Sequence, residues 1–490
     1  MELDRDLQSV QEARNLIRNA KEAQKVLAEY SQEQIDSLVC KVARACEAQA
    51  EPLAKMAQEE TGFGKWEDKV LKNLLGSRIV YESMKDMKTV GVLKEDKERK
   101  VTEIAVPMGV VVALIPSTNP TSTVMYKTLI SIKAGNAIVI SPHPGAFKSI
   151  LETVKVIQAA VEQAGAPKDL VQVVTIPTGA ATQELMKNKD TGIILATGGE
   201  AMVHAAYSSG NPALGVGPGN GPSFIERSAD IPLAVKRIVQ SKTFDNGTIC
   251  ASEQSIIAES CIKDKLIEEM KRQKCYFMSE EESEKVSHFI MRANNTMNPQ
   301  IVGRSALRIA EMAGISIPAD TLVLVTEHTG IGKKYPYSRE KLCPILAFFT
   351  VNDCSEACEL SIKLLENEGT GHTMSIHTKN EEVVSAFGRK KPVSRILVNT
   401  IASLGGVGAV TGLTPALTLG CGAVGGSATS DNIGPMNLIN IRRVAYGIRE
   451  MDEIRAMAPK QNCSESKDVS ESDIELITRE VLKALMSQNK

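Results

Sequence analysis

The sequence predicts an α/β protein built on parallel sheets with helices over both faces. Three observations predict it. Short, continuous apolar runs recur, helical segments of about fifteen residues separate them, and turn residues cluster where the runs stop. At 490 residues the chain exceeds what one hydrophobic core usually supports, so two or three subdomains are expected.

The elements follow in order. The opening stretch, to about residue 85, is helical: Leu16, Ala20, Ala23 and Leu27 recur at helical spacing, as do Ile35, Leu38, Val39 and Val42. Ser31 followed by Gln34 reads as a capping box that opens the second helix. A polar run, Lys94 to Lys100, leads into a β-rich segment. Val110 to Ile115 is a buried-type strand stopped by Pro116, and Ala137 to Ile140 is another, stopped by Ser141-Pro142-His143-Pro144. A helix is expected over Ile150 to Ala164, then strands at Val171–Val174 and Gly192–Ala196. Sheets of this kind bind ligands at the carboxyl ends of their strands. Those ends carry Pro116-Ser117-Thr118-Asn119-Pro120, Ser141–Pro144 and Thr197-Gly198-Gly199. A second α/β pattern runs from Ser241 to Gly426, with strands at Gln254–Ile257, Leu322–Val325, Ile345–Thr350 and Ile396–Val398.

Composition narrows the function class. The chain is 43% hydrophobic and 24% charged, with a net charge of −2 and both signs interspersed. That offers no basic face to nucleic acid and no polybasic patch to a membrane. The segment Met1 to Ala28 is charged throughout and lacks the apolar core of a signal peptide. Thr400 to Ser430 is uncharged, but its eight glycines and Pro415 predict packed loops and short strands, not a spanning helix. A cytoplasmic location is expected, in the lumen of a compartment within the cytosol. Ten cysteines form no CxxC pair and have no histidines at zinc-site spacing, so no metal site is expected.

The end of the chain differs in kind. Pro459 to Ser472 is rich in Ser, Glu, Lys and Asn and reads as a solvated linker. Residues 473–490 follow as an amphipathic helix, with Ile474, Ile477, Val481 and Leu485 on one stripe and Glu475, Arg479, Glu480 and Lys483 opposite. Such a stripe is buried either by folding back on its own subunit or by a partner groove or shell surface.

One cysteine stands out. Cys250 lies between the glycine-bearing turn Phe244-Asp245-Asn246-Gly247 and the strand at Ser255-Ile256-Ile257, where rigid structure holds a thiol towards a cleft. A thiolate attacks carbonyl carbon well, and the resulting thiohemiacetal expels hydride to an oxidised nicotinamide. Taken alone, a cysteine is usually a small buried hydrophobe.

Five motifs supply the context: Ile115-Pro116-Ser117-Thr118-Asn119-Pro120-Thr121, Ser141-Pro142-His143-Pro144, Gly215-Val216-Gly217-Pro218-Gly219-Asn220, Asp245 to Gln254, and Gly369-Thr370-Gly371-His372-Thr373. With them, Thr102 to Asp452 resembles the aldehyde dehydrogenase superfamily. The closer likeness is to its CoA-acylating branch, which includes microcompartment acetaldehyde and propionaldehyde dehydrogenases and the aldehyde dehydrogenase half of bifunctional aldehyde-alcohol dehydrogenases. The resemblance implies an aldehyde dehydrogenase-like fold: a Rossmann-type cofactor domain, an α/β catalytic domain and a small β oligomerisation flap. The expected divisions are 1–240 for the helices and cofactor domain (flap near 95–107), 241–426 for the catalytic domain, 427–458 for an oligomerisation segment, 459–472 for the linker and 473–490 for the terminal helix.

The resemblance also implies roles. Cys250 is the nucleophile. The amide of Asn119 and the backbone N–H of Cys250 form an oxyanion hole, although Thr118 is the alternative register for that asparagine. Ile115, Pro116, Ser117, Thr118, Ser141, His143, Pro144, Gly179, Thr197, Gly198, Gly199 and Gly217 line the NAD site, and Glu340 grips the nicotinamide ribose. A lysine that classical relatives carry is missing from Ser141–Pro144, so NADP is not excluded, and His143 faces either a ribose or a 2′-phosphate. His372 lies near the reactive centre and takes the proton of the CoA thiol or of Cys250.

An absence chooses the second nucleophile. Hydrolytic relatives activate water with a glutamate upstream of the cysteine. Here no carboxylate occurs from Asn211 to Ile225. Without a base water is a poor nucleophile, whereas a thiol needs less help. The expected reaction is reversible oxidation of a short-chain aldehyde to acyl-CoA with NAD and coenzyme A. The expected state is a homo-oligomer, dimer or tetramer, paired through Arg99–Val106 and Asn437–Ala445. A microcompartment shell is the expected partner of residues 473–488. Hydrolytic or phosphate-dependent dehydrogenases, and a silent scaffold, stay open as alternatives.

Overall fold

Ser31 accepts a hydrogen bond from the backbone N–H of Gln34, whose side chain accepts from Ser31 N–H at 2.8 Å. This capping box, read from the sequence, starts the second of four opening helices: α1 (Arg5–Leu27), α2 (Gln32–Ala48), α3 (Ala50–Thr61) and α4 (Trp66–Leu74). Ala20, Ala23 and Leu27 of α1 and Ile35, Leu38, Val39 and Val42 of α2 are buried as their spacing requires. The computed structural model describes residues 4–328, 330–458 and 469–487.

The strands in chain order are β1 (Gly91–Asp96), β2 (Val101–Pro107), β3 (Val110–Ile115), β4 (Ala137–Pro142), β5 (Val171–Val173), β6 (Thr191–Thr197), β7 (Ala213–Val216), β8 (Gly221–Ile225), β9 (Glu253–Glu259), β10 (Cys275–Phe277), β11 (Val323–Glu327), β12 (Ile345–Val351), β13 (Gly371–His377), β14 (Val393–Val398) and β15 (Ile439–Ala445). They build a parallel sheet ordered β5-β4-β3-β6-β7, a parallel sheet ordered β10-β11-β12-β9-β8-β13-β14, and a three-stranded sheet β1-β2-β15.

In the five-stranded sheet the order turns back between β3 and β6, which opens a crevice at their carboxyl ends. The fully buried Lys127 pins that crevice. Its ammonium nitrogen donates to Leu114 O and Leu195 O, each at 2.8 Å, one near the end of each strand. The seven-stranded sheet is apolar on both faces: Phe224, Ile257, Leu324 and Ala347 pack on one side, Ile225, Ile256, Val325 and Phe348 on the other.

Three expectations change. The seven-stranded sheet already includes β8, so the change of sheet falls between β7 and β8 and not at residue 241. Pairing on both sides makes Gly221–Ile225 a central strand of that sheet. Thr400–Ser430 holds a short helix, Ala402–Gly406, a 3-10 turn, Ala423–Gly425, and one isolated bridge from Leu419 to Asn432, rather than short strands. Its glycines favour turns over ladders. The polar run at Lys94 is partly strand, since β1 extends to Asp96.

Contact density divides the chain into residues 1–93 with 104–442, and residues 94–103 with 443–490. Within the second unit Arg443 pairs with Glu103 at 3.1 Å, and the N–H of Tyr446 donates to Lys100 O. It also contains the helix Glu471–Ser487, none of whose residues is buried. The expected linker at 459–472 lies mostly outside the described residues. None of the described helices is long and apolar enough to cross a membrane.

Candidate active site

The cysteine loop begins with a left-handed turn. Asp245, Asn246 and Gly247 have φ of 48°, 51° and 78° in succession. Left-handed backbone costs a non-glycine residue about 1–2 kcal/mol, so neighbouring structure must enforce it. Asp245 N–H donates to Asp68 Oδ2 at 2.7 Å, Asp245 Oδ1 accepts from Lys65 N–H at 2.8 Å, and Asn246 Nδ2 donates to Gly303 O at 2.9 Å. A side chain at Gly64 is excluded, because its Cβ would lie 1.7 Å from Asp245 Oδ1. Beyond the turn, Ile249 and Ala251 pack into the core of the five-stranded sheet, while β9 belongs to the other sheet. Cys250 is therefore anchored on both sides and remains partly exposed.

A cluster of charges that sequence reasoning missed lies under this loop. Lys72 of α4 is buried and donates to Asn119 Oδ1 at 2.6 Å, to Thr248 Oγ1 at 2.8 Å and to Asp245 Oδ2. Lys69, also buried, donates to Asp245 Oδ2 at 3.0 Å and to Thr118 O at 3.1 Å. Although burial opposes its charge, Lys72 and Lys69 hold the Asp245 carboxyl below its ordinary range. Burial pulls Lys72 down to about 8, while Asp245 pulls it back up. An ammonium has three protons, and Lys72 places all three on oxygen. One consequence concerns Asn119: with its Oδ1 occupied by Lys72, its amide N–H groups are turned towards Thr248 O, at 3.3 Å, and Thr118 Oγ1, at 3.2 Å.

On the other side, His372 Nε2 lies 3.2 Å from Cys250 Sγ. The histidine is fully buried at the start of β13, and burial together with Arg395 pushes its pKa down to about 3. It stays neutral and is a weak base. Burial, with the charge of Glu340 and Cys421, pushes the Cys250 thiol up to about 12, against the pull of Arg395. In the resting site the sulfur is thus a thiol. Nucleophilic attack requires that it lose its proton as ligands enter.

The loop between β7 and β8 closes the cleft from a third side. A Cβ on Gly219 would lie 1.9 Å from Cys250 O, so the two backbones touch as only glycine permits. Gly219 N–H donates to Glu340 Oε1 at 2.9 Å. Burial and the nearby Glu368 raise the Glu340 carboxyl to about 8. The absence of a carboxylate from Asn211 to Ile225 therefore does not make the cleft free of carboxyl groups, since Glu340 reaches this loop from a distant part of the chain.

The remaining expected residues fall along the carboxyl edge of the five-stranded sheet. In sheet order, Gly179 opens the helix after β5, Ser141, His143 and Pro144 end β4, Ile115 to Thr118 end β3, and Thr197 to Gly199 end β6. Ser141 Oγ is paired with Thr182 Oγ1 at 2.9 Å. His143 Nδ1 accepts from Gly145 N–H at 3.0 Å, which leaves Nε2 carrying the proton of the neutral ring. A Cβ on Gly199 or Gly217 would meet nothing within 4 Å, so this edge has room for a flat ring or a diphosphate. These residues fit a dinucleotide laid across the strand ends.

Residues 6–413 match the model of the aldehyde dehydrogenase family. The chain belongs to that family. Among aldehyde dehydrogenases and their fusions, it is 43% identical over 448 residues to the bifunctional aldehyde-alcohol dehydrogenase of Escherichia coli strain K12, covering 90% of this chain and 50% of that protein. It spans about half the length of the first curated relatives it matches. The crystal structure of an acetylating aldehyde dehydrogenase from Geobacillus thermoglucosidasius is similar at TM-score 0.90 and 54% identity, covering 92% of this chain and 99% of that one. A propionaldehyde dehydrogenase from the fucose utilisation bacterial microcompartment of Clostridium phytofermentans is similar at TM-score 0.80 and 28% identity, covering 89% and 97%.

Proposed function

We propose that the chain oxidises a short-chain aldehyde to its acyl-CoA, reversibly, through a thioester on Cys250. The observation that carries this reading is the anchored Cys250 sulfur, 3.2 Å from His372 Nε2 and pressed against a glycine loop with no carboxylate of its own. Likeness to an acetylating aldehyde dehydrogenase over nearly the whole of that chain supports it.

Cys250 Sγ attacks the aldehyde carbon, and the oxygen that gains charge is met by the Asn119 amide and the Cys250 N–H. Lys72 fixes which end of that amide donates, and one of its N–H groups, now on Thr248 O and Thr118 Oγ1 at 3.3 and 3.2 Å, would turn to the oxygen. A nicotinamide dinucleotide, when bound across Ile115–Thr118 and Thr197–Gly199, supplies the hydride acceptor. Glu340 would hold its ribose, and the proton on His143 Nε2 is placed to donate to a ribose hydroxyl or a 2′-phosphate. The acyl group left on sulfur passes to the CoA thiolate, which restores Cys250. His372 has little capacity as a base, so the incoming thiol arrives largely as its own thiolate fraction.

Incubation with acetaldehyde or propionaldehyde and NAD, with and without CoA, tests the reading. NADH formation with stoichiometric acyl-CoA is expected, and free acid as the main product with CoA in excess overturns it. Glu340 favours a second reading, hydrolysis. Its pKa of about 8 leaves the carboxyl mostly protonated at pH 7 and able to accept a proton only above about 8. Under that reading, free acid grows between pH 7 and pH 9 and Glu340→Gln abolishes the growth.

The exposed stripe of Ile474, Ile477, Val481 and Leu485 supports a role for the terminal helix in docking to a microcompartment shell. The microcompartment origin of a similar propionaldehyde dehydrogenase is in line with this. If a fluorescent fusion lacking residues 473–488 still co-localises with shells, docking by this helix is ruled out. The three-stranded sheet, with Ile441 and Val444 exposed on β15, supports pairing of copies into a dimer or tetramer.

A further inference from the structure

We infer that Thr373 and Arg395 hold His372 in the tautomer that carries its proton on Nε2, so that the ring donates a hydrogen bond to the Cys250 sulfur. Three contacts form a line. Arg395 Nε donates to Thr373 Oγ1 at 3.3 Å, Thr373 Oγ1 lies 3.0 Å from His372 Nδ1, and His372 Nε2 lies 3.2 Å from Cys250 Sγ. The direction of the line follows from its far end. A guanidinium only donates, so one lone pair of the threonine oxygen is taken by Arg395. The hydroxyl proton must then go to an acceptor, and His372 Nδ1 is the partner it has among the described residues. With Nδ1 accepting, the proton of the neutral ring is on Nε2 and points at sulfur. In the opposite tautomer two N–H groups would converge on one buried hydroxyl and leave its proton unsatisfied, a loss that buried polar groups rarely sustain.

Arg395 is itself fixed. It is buried and donates to Gly420 O at 2.5 Å, Ser430 O at 3.2 Å and Asn432 Oδ1 at 3.1 Å, so it does not swing away to free the threonine. The charged and titratable groups that bear on the pair are Arg395 on the ring and Glu340, Cys421 and Arg395 on the sulfur. Burial and Arg395 together keep the ring from taking a second proton. The arrangement makes His372 a hydrogen-bond donor to the sulfur, most valuable when that sulfur is a thiolate, and makes Thr373 and Arg395 positioning residues. Its catalytic consequence rests on Cys250 being the nucleophile; the tautomer itself does not.

The test therefore needs neither aldehyde nor CoA. Full-length protein labelled with 15N in its six histidines, with His372 assigned by His372→Asn, reports the protonated nitrogen directly. A neutral ring protonated on Nε2 from pH 6 to 8 is expected in wild type and in Thr373→Ser. A wild-type ring protonated on Nδ1 overturns the inference whatever the variants do. Alkylation of Cys250 by iodoacetamide, followed on its peptide by mass spectrometry, is expected to slow about ten-fold in Thr373→Val at fixed pH and to return to within about two-fold of wild type in Thr373→Ser. Equal rates in wild type and Thr373→Val also overturn it. Loss of acyl-CoA formation with both readouts intact would count against the proposed reaction alone.

Discussion

On one flank of Cys250, two lysines and an aspartate are taken out of water together; on the other, a histidine, a threonine and an arginine are buried with no carboxylate among them. The first flank fixes backbone and the Asn119 amide through full charges held in place. The second fixes a proton through a line of hydrogen bonds that starts at the Arg395 guanidinium and ends on a neutral ring. Each contact on the first is a charged hydrogen bond inside a buried cluster, so losing one costs stability as well as geometry, whereas breaking the Thr373 contact redirects a ring and leaves Arg395 on its other acceptors. The two flanks should therefore fail differently, the lysine–aspartate one in stability and rate together, the histidine one in rate and thiol reactivity.

The sulfur that both flanks serve gives the largest expected effect. Cys250→Ala should lower NADH formation by at least about 10³-fold while the midpoint of thermal unfolding moves little. Lys72→Met comes next. Removing one of the two lysines that grip Asp245 should cost about 1.5–3 kcal/mol in denaturant unfolding, and releasing the Asn119 amide should lower kcat about 10²-fold. Lys69→Met should cost comparable stability with much less effect on kcat, because Lys69 does not touch Asn119. Equal kcat losses in the two variants would mean that the charged flank acts only by holding the loop. A smaller effect concerns pH. With the thiol raised to about 12, alkylation of Cys250 in the resting protein should climb about ten-fold per pH unit from 7 to 9 without a plateau. A plateau in that window would place more thiolate stabilisation on the histidine flank than its geometry implies. Smallest of all, removing residues 473–488 should leave kcat and KM within about two-fold, measured on the purified enzyme, since nothing in that helix is buried.

Much of this was legible in the chain. The apolar runs at Val110, Ala137 and Gly192 became β3, β4 and β6 because a strand buried on both faces needs little besides β-formers between turn signals. Asn119, Cys250 and His372 announced themselves through motifs. Lys69 and Lys72 did not. In Trp66-Glu67-Asp68-Lys69-Val70-Leu71-Lys72-Asn73 they read as a solvated helix face, and their burial depends on Asp245 arriving from a remote segment. Arg395 was equally silent, an ordinary arginine inside a short strand until Thr373 is placed beside it. Glu340 was recognised, but its reach to Gly219 was not, so the cleft seemed emptier of carboxyl groups than it is. Local pattern reports what a segment does to its own backbone; it is blind to side chains whose partners are supplied by the closing of the fold.

The missing side chain at Gly64 has a wider implication. With 1.7 Å to an aspartate oxygen of the cysteine loop, no methyl group can be accommodated there without evicting the carboxyl that both lysines grip. A segment far from Cys250 in sequence is thereby under the same selection as the cysteine loop. Engineering that trims or grafts the opening helices to change solubility or pairing would redraw the catalytic apparatus from behind.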